Sequence, residues 1–436
     1  MAATDPRQIL DEGRMSIRQW VVIAIMIALN ALDGFDVLSS AFAGPGIRKE
    51  WGVTPAALGV VLSAELVGMG VGSVILGGMA DKFGRRLGML ACLTIMAAGM
   101  WLATTAASPT MLAAWRFLTG LGIGGMLAAI NAVTAEYSST KGRSIAMSLM
   151  VIGYPLGATL GGIVAAWLLR DGEWRLVFEF GAICTVVCIP LVFFFVPETI
   201  DYLNQRRPRH ALERINRTLA SFGHPTLAEL PPVPAGMQKA SVFDILKPGL
   251  IRTTLTLTFA YLFHCVTFYY TLKFAPTIVG DFGYSQSDAA RALVWANVGG
   301  ATGGVVFGFF MQRFGIKIPT LAMLCAAALA TGAFGLGSET LIGWYVAVFL
   351  TGFTTNSAIV GCYSAFARGF PTHVRATGTG FIIGVGRIGA VGSPVMAGIL
   401  FQALGGYQSG LLVTSFIMGA GSIIGALIFA TLKLRD

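Results

Sequence analysis

The sequence has 436 residues, of which 55% are hydrophobic and only 12% are charged. Because soluble domains usually carry about 25% charged residues, this composition excludes an ordinary soluble protein and indicates a chain that crosses a membrane many times. The formal net charge of +9 could suggest nucleic-acid binding, but the basic residues are distributed over short segments between apolar runs, as in membrane topology signals.

Twelve apolar runs bounded by charged residues, proline and glycine predict twelve transmembrane helices. About 20 apolar residues cross the hydrocarbon core as a helix. The predicted spans, numbered in chain order, lie near 18–43, 56–79, 86–106, 110–134, 144–168, 174–196, 250–276, 288–311, 318–336, 340–365, 375–402 and 407–432. The only long hydrophilic stretch lies in the middle of the chain. We therefore predict an all-α membrane protein with two six-helix bundles, 1–196 and 250–436, and a cytoplasmic linker at 197–249.

The lysines and arginines predict the orientation of these spans. Most of the 30 basic residues fall in the N-terminal segment, the C-terminal tail and alternate connections. The opposite connections hold only Arg48, Lys49, Arg170, Arg175 and Arg291. Since positively charged loops stay in the cytoplasm, both termini are predicted to be cytoplasmic. The first twenty residues are polar and mixed in charge, which does not match a cleaved signal peptide.

The sequence gives little support to an enzyme or a metalloprotein. The six cysteines all fall in apolar runs without the spacing of a metal site, so we interpret them as packing residues. The cytoplasmic segments contain no nucleotide loop, metal cluster or nucleophile triad, and we predict no cofactor. The halves also echo each other, since GGMADKFGRR (77–86) aligns with GFFMQRFGIK (308–317). Two related bundles suggest a transporter with its substrate near the midplane between them.

The connection between spans 2 and 3 resembles the loop signature of the major facilitator superfamily. It contains the motif's glycines, aspartate and arginines at Gly77, Asp81, Gly84, Arg85 and Arg86. The resemblance implies a gating role for this loop, in which ionic contacts favour one closed state. Physically, Gly84 permits a positive φ, and Asp81 can pair with basic side chains. The second copy has Gln312 where the aspartate would stand, so an ionic latch there is not expected.

Segments along nearly the whole chain resemble the aromatic acid:H+ symporter branch of this superfamily. These are DGFD (33–36), AEYSSTKGRS (135–144), VPETIDYL (196–203), FYYTLKFAP (268–276) and GRIGAVGSP (386–394). The resemblance implies a proton-coupled importer of a benzoate-type carboxylate in a bacterial inner membrane, acting as a monomer. A carrier of another organic anion such as a dicarboxylate, an exporter, and a receptor that binds without transport are the alternatives.

Asp33 and Asp36 are three residues apart in span 1 and therefore share one helical face. Lipid cannot solvate carboxylates, so this face is expected to look into the protein. Two nearby carboxylates in a low dielectric do not both ionise easily, and one of them can take up a proton outside and release it inside. We predict a role in proton coupling. The alternative is that the pair only orders span 1 by contacting an arginine or backbone groups.

An aromatic carboxylate needs a cation and an apolar slot. Arg387 is the best candidate for the cation, because it stands in an otherwise charge-free span and its planar guanidinium suits a carboxylate. A salt bridge from Arg387 to Asp33 or Asp36 is the alternative. Arg116 in span 4 and Glu136 at its cytoplasmic end are secondary candidates, for which a gating or interhelical role is equally open.

Span 7 supplies the aromatic side of the predicted pocket. Phe268, His264 and Lys273 are the candidates for facing the substrate. Lys273 lies near the outer end of the span, so it could instead extend to the membrane surface. For His264 the alternative is a hydrogen-bonded packing residue. Glu65 in span 2 and Asn131 in span 4 are further polar groups within predicted spans.

Overall fold

A computed structural model describes residues 5–231 and 242–432 of the chain. Every α-helix in these ranges is numbered here in chain order. The helices are α1 (Pro6–Glu12), α2 (Ile17–Trp51), α3 (Pro55–Phe83), α4 (Arg85–Thr104), α5 (Pro109–Tyr137), α6 (Arg143–Leu168), α7 (Arg175–Phe195), α8 (Ile200–Arg206), α9 (Ala211–Ser221), α10 (Ile251–Asp281), α11 (Gln286–Phe314), α12 (Lys317–Phe334), α13 (Leu341–Gly369), α14 (Thr372–Ala403) and α15 (Tyr407–Ala430).

Twelve of these helices are long and apolar enough to cross a membrane, which confirms the predicted number of spans. The first span is longer than predicted, because α2 continues through Pro45 and ends only at Trp51. In membrane helices an internal proline is tolerated where neighbouring groups satisfy the freed backbone. The helix ends because Gly52 adopts a left-handed conformation, and its N–H donates to the Arg48 carbonyl at 2.9 Å. Similarly, α10 continues through Pro276 to Asp281.

The spans pack in two groups. Among α2 to α7, the most extensive contacts are between α3 and α5, α2 and α6, and α4 and α5. Among α10 to α15, α11 packs on α13, and α10 packs on α14 and α15. We call these groups the first half and the second half. The exact limits of the linker between them remain a prediction, and residues 232–241 within it lie outside the described residues.

The two halves are joined at one end of the spans. We call it the outer end, following the predicted orientation, and it carries the α2–α3 connection. Here the Ser63 hydroxyl donates to the Val391 carbonyl at 2.8 Å, and the Ser287 hydroxyl donates to the Ala166 carbonyl at 2.6 Å. Arg48 of α2 forms an ion pair with Asp281 of α10. We call this contact between the halves at the outer end the outer seam. It is closed in this structure.

Candidate functional site

Three charged side chains form a buried cluster where α3, α5 and α10 meet. A carboxylate oxygen of Glu65 lies 2.6 Å from the Arg116 guanidinium and 3.7 Å from the Lys273 ammonium. All three side chains are fully buried. The Lys273 ammonium does not reach the membrane surface in the way that a snorkelling lysine would. A buried charge is strongly destabilising unless it is paired, so each member of this cluster depends on the others.

Backbone carbonyls of α2 complete the cluster. Arg116 donates to the Asp36 carbonyl at 2.8 Å, and Lys273 donates to the Val37 carbonyl. The Ser40 hydroxyl lies 3.5 Å from the same Glu65 oxygen that contacts both cations. The Arg116 guanidinium is thus occupied within the first half, and its predicted contact with substrate would require it to leave these partners. Lys273 is bound through a carboxylate and a carbonyl of the opposite half.

Asp33 and Asp36 are fully buried, and none of their four carboxylate oxygens has a hydrogen-bond partner among the described residues. A Cβ atom built on Gly181 of α7 would lie 3.1 Å from one Asp36 oxygen. The Asp36 carboxyl therefore faces α7 and not the seam between the halves. Asp33 lies within electrostatic range of Cys92 in α4 and Cys188 in α7. The acidic pair points into the interior of the first half.

Arg387 is the half-buried cation of α14. It forms no ion pair with any described residue, and the salt bridge to Asp33 or Asp36 that the sequence left open is absent from this structure. Its guanidinium lies within electrostatic range of Tyr269 and Tyr363. An unpaired cation in a membrane span needs a counterion or water, and aromatic neighbours make this position suitable for an aromatic anion.

Aromatic side chains of α10 and α13 lie near this position. The hydroxyls of Tyr261 and Tyr363 are 3.1 Å apart, and the rings of Phe268 and Tyr269 meet edge to face with centroids 5.2 Å apart. Tyr154 of α6 lies within electrostatic range of Tyr269 and Tyr363 from the opposite half. Tyr154 and Tyr363 were not predicted from the sequence as site residues. Each is a single tyrosine in an apolar span, and such a tyrosine can be either a site residue or a packing residue.

His264 is fully buried within the second half. One ring nitrogen lies 2.8 Å from the Ser422 hydroxyl and the other lies 2.9 Å from the Thr355 carbonyl oxygen. Both nitrogens are therefore occupied by α15 and α13, and neither is available to a substrate in this structure. The geometry corresponds to the hydrogen-bonded packing residue that the sequence left as the alternative for His264. Phe268, by contrast, is only half-buried.

The loop motif between α3 and α4 forms a compact turn at the inner end. Gly84 has φ of 112°, the region that favours glycine, and joins α3 directly to α4. Arg85 forms an ion pair with Asp81, and its Nε atom lies 3.7 Å from Glu136 of α5. Gly77 is buried, where a Cβ atom would lie 3.6 Å from Ala128 of α5. The motif thus connects α3, α4 and α5.

Glu198, which the sequence analysis did not single out, caps the same turn. One of its carboxylate oxygens accepts hydrogen bonds from the backbone N–H of Arg85 at 2.8 Å and of Arg86 at 3.3 Å. These donors are the unpaired N–H groups at the start of α4. Burial raises the pKa of Glu198 above its usual value, and the backbone N–H groups of Thr199, Arg86 and Arg85 act in the opposite direction. The Arg86 guanidinium donates to the Phe193 carbonyl and stacks on the Phe193 ring.

Comparisons with known proteins agree with the fold and give the site a context. The family model described as Major Facilitator Superfamily matches residues 23–338. The chain is 30% identical over 417 residues to a gallate transporter of Pseudomonas putida, covering 93% of this chain and 90% of that protein. It is 29% identical to the 4-hydroxybenzoate transporter PcaK of Pseudomonas putida, covering 99% and 97% respectively.

Solved structures show the same fold at low identity. The structure of a bacterial homologue of the human lysosomal transporter Spinster, in an inward-facing and unoccupied conformation, superposes with a TM-score of 0.77. The two chains share 16% identity, and the match covers 95% of this chain and 96% of the other. At this identity the similarity shows the shared arrangement of helices and nothing about the ligand.

Proposed function

Because the chain belongs to the Major Facilitator Superfamily and is a transporter rather than an enzyme, we propose that it imports an aromatic carboxylate together with protons. The substrate is of the benzoate or hydroxybenzoate type, and transport proceeds by alternating access across the inner membrane of a bacterium. Both termini lie in the cytoplasm, and the protein acts as a monomer.

The observation that carries this proposal is Arg387. It is a half-buried arginine without an ion pair among the described residues, and it lies within electrostatic range of Tyr269 and Tyr363 of the second half. A carboxylate accepts two parallel hydrogen bonds from a guanidinium, and tyrosine and phenylalanine rings pack against an aromatic ring. The relatives named for gallate and 4-hydroxybenzoate transport favour the same class of substrate.

Proton coupling is proposed to depend on buried carboxylates of the first half, namely Asp33 and Asp36. Their oxygens are buried without a hydrogen-bond donor, and such groups exchange a proton more readily than they carry a bare charge. A monoanion that enters with one proton carries no net charge. Its accumulation is then driven by about 1.4 kcal/mol for each pH unit, which corresponds to about tenfold.

Other site residues have supporting roles in this proposal. Phe268 forms part of the aromatic wall, and Lys273 and Arg116 hold the charged cluster at its outer side. The inner turn of Gly77, Asp81, Gly84, Arg85 and Arg86, together with Glu136, acts as the gate that closes and opens the inner end. A facilitator for another organic anion such as a dicarboxylate, or an exporter, is the competing function.

The experiment is uptake by the purified protein in proteoliposomes. Labelled benzoate, 4-hydroxybenzoate and gallate are compared with the aliphatic dicarboxylate succinate, with and without an alkaline interior. We expect an aromatic acid to accumulate about tenfold for each pH unit and a protonophore to abolish the accumulation. Accumulation that survives the protonophore would exclude proton symport. Preference for succinate would favour the competing function.

Arg387→Gln tests the carboxylate contact in the same assay. Loss of a charged, bidentate hydrogen bond should weaken substrate affinity by at least about tenfold, because such bonds contribute about 1.5–3 kcal/mol. Arg313→Gln is the matched control, because Arg313 is exposed at the inner end of α11. If both variants transport with unchanged affinity, Arg387 does not hold the carboxylate.

A further inference from the structure

We propose that Glu65 and Lys273 exchange partners during transport. When the outer seam opens, the pair separates, a proton from outside neutralises Glu65, and the carboxylate of the substrate replaces Glu65 beside Lys273. This inference rests on the proposed function. It takes from that proposal the uptake of an aromatic carboxylate with a proton, assigns the coupled proton to Glu65 in place of Asp33 and Asp36, and adds an outer anion-binding position, Lys273, to the inner position at Arg387.

The Glu65–Lys273 contact crosses between the halves. Lys273 belongs to α10 of the second half, whereas Glu65 and the Val37 carbonyl belong to α3 and α2 of the first half. A carrier that accepts substrate from outside must separate α10 from α2 and α3 at this end. The Arg116–Glu65 contact lies within the first half and survives that movement. Opening therefore removes one of the two cations from Glu65.

The charges around Lys273 fix the ratio of protons to substrate. In the closed outer seam the ammonium is fully buried and lies 3.7 Å from the Glu65 carboxylate, which it shares with Arg116. A buried ammonium without a nearby carboxylate is strongly destabilising. If Glu65 takes up one proton and one substrate carboxylate binds to Lys273, the net charge of the cluster is unchanged. The proton and the monoanion therefore enter together in a ratio of one to one.

Several other ionisable groups lie near Glu65. Arg116 and Lys273 contact it directly, and Asp36, Tyr154 and Tyr269 lie within electrostatic range of it. The Asp36 carboxyl faces α7 and remains within the first half when the seam opens. Within the described structure, Glu65 is the carboxylate of this cluster whose cationic partner comes from the other half. Its environment changes most between the two states.

The two cations then act in sequence. Lys273 stands in the outer half of α10, seven residues after the mid-helix residue Val266, and Arg387 stands near the middle of α14. When the outer seam closes again, Glu65 gives up its proton to the inner side and returns to Lys273. The carboxylate is thereby displaced from Lys273 and is held by Arg387, from which it leaves when the inner end is open.

The experiment uses proteoliposomes that contain the wild-type protein. The probe is labelled 4-hydroxybenzoate, or the aromatic acid that the substrate panel favours. With wild type, a pH gradient should drive uptake, whereas an inside-negative potential imposed with potassium and valinomycin at equal pH should not. Uptake that rises with the potential would show that more than one proton enters with each monoanion, and it would overturn the one-to-one exchange even if no variant can be purified.

Variants then test the residues. Glu65→Gln should lose the pH-driven accumulation, which in wild type is about tenfold for each pH unit. It should retain exchange of labelled for unlabelled substrate, because glutamine resembles the protonated acid. Lys273→Met should lose both activities. The double variant Glu65→Gln with Lys273→Met removes both charges of the contact but leaves Arg116 without its carboxylate, so thermal unfolding of every variant in detergent serves as the check on folding. Glu173→Gln and Lys49→Met are matched controls at exposed positions of the outer end.

The outcomes separate this inference from the proposed function. If no aromatic acid is transported by wild type, the proposed function fails. If wild type shows proton-coupled uptake and Glu65→Gln still accumulates substrate, the inference fails and the function stands. The inference also fails, and the function stands, if Asp36→Asn loses accumulation and retains exchange whereas Glu65→Gln does not.

Discussion

A Cβ atom placed on Gly398 would lie 2.4 Å from the Pro55 carbonyl oxygen, so α14 and α3 touch backbone to backbone at the outer end. One turn deeper, a Cβ atom on Gly59 would lie 2.4 Å from the Pro394 carbonyl oxygen. These distances are shorter than any side-chain carbon tolerates. Glycine is therefore required at these two contacts, through which α3 and α14 close the outer end.

Gly398→Ala should shift the protein towards an outward-open state, because the added methyl group forces α14 away from α3. Gly392→Ala on the same helix is the control, since a Cβ atom there meets nothing within 4 Å. The measurement is labelling by a membrane-impermeant maleimide of a cysteine at Ser63, in a background without the native cysteines. We expect labelling to be several-fold faster for Gly398→Ala than for the control. Equal rates would mean that the seam does not govern access to Ser63.

Arg48 ties α2 to the second half in two ways. It pairs with Asp281 and stacks on the ring of Tyr407 at 4.8 Å. Partly exposed ion pairs contribute roughly 0.2–1 kcal/mol, so Asp281→Asn should favour outer opening by up to about fivefold. The measurement is the apparent affinity for substrate added outside, which should rise by a similar factor. Glu339→Gln, at an exposed carboxylate of the outer end, is the control. Recovery in Asp281→Glu would support the ion pair, and an unchanged affinity in Asp281→Asn would contradict it.

Glu198 stabilises the start of α4 through the backbone N–H groups of Arg85 and Arg86. Glu198→Ala removes this cap and should lower stability by about 0.5–2 kcal/mol, as at other helix N-termini. Glu198→Gln retains an acceptor oxygen and should lie between wild type and alanine. Thermal unfolding in detergent checks the order, with Glu229→Ala as an exposed control in the same segment between the halves. A melting temperature for Glu198→Ala equal to that of Glu229→Ala would show that the cap does not stabilise the turn.

The sequence was sufficient for the fold because membrane spans are long and strongly apolar. It also indicated that Asp33 and Asp36 share a buried face, and that Gly84 takes a positive φ in the turn between α3 and α4. These features follow from local spacing and from the cost of placing charge in lipid. The C-terminal end of α2 was misjudged, because a proline was read as the limit of a span and the structure continues the helix through it.

The partners of the buried charges could not be predicted from the sequence. From the sequence, Glu65 was identified only as a polar group within a predicted span, yet it is the residue that contacts both Arg116 and Lys273. Its importance depends on the rotation of α3 and α10 about their axes, and a span that is apolar on most faces gives no periodicity from which to derive that rotation. For the same reason the sequence left the direction of Lys273 open.

The Lys273 ammonium is completely buried, and this burial affects how readily protons could cross the membrane without substrate. A bare ammonium in a low-dielectric interior is a barrier to movement between the two open states. The protein would therefore resist changing state with a proton but no cargo, since Glu65 would then be neutral and Lys273 would lack a counterion. Under the proposed exchange, such a carrier would leak few protons when its substrate is scarce, and the proton gradient across the membrane would be preserved.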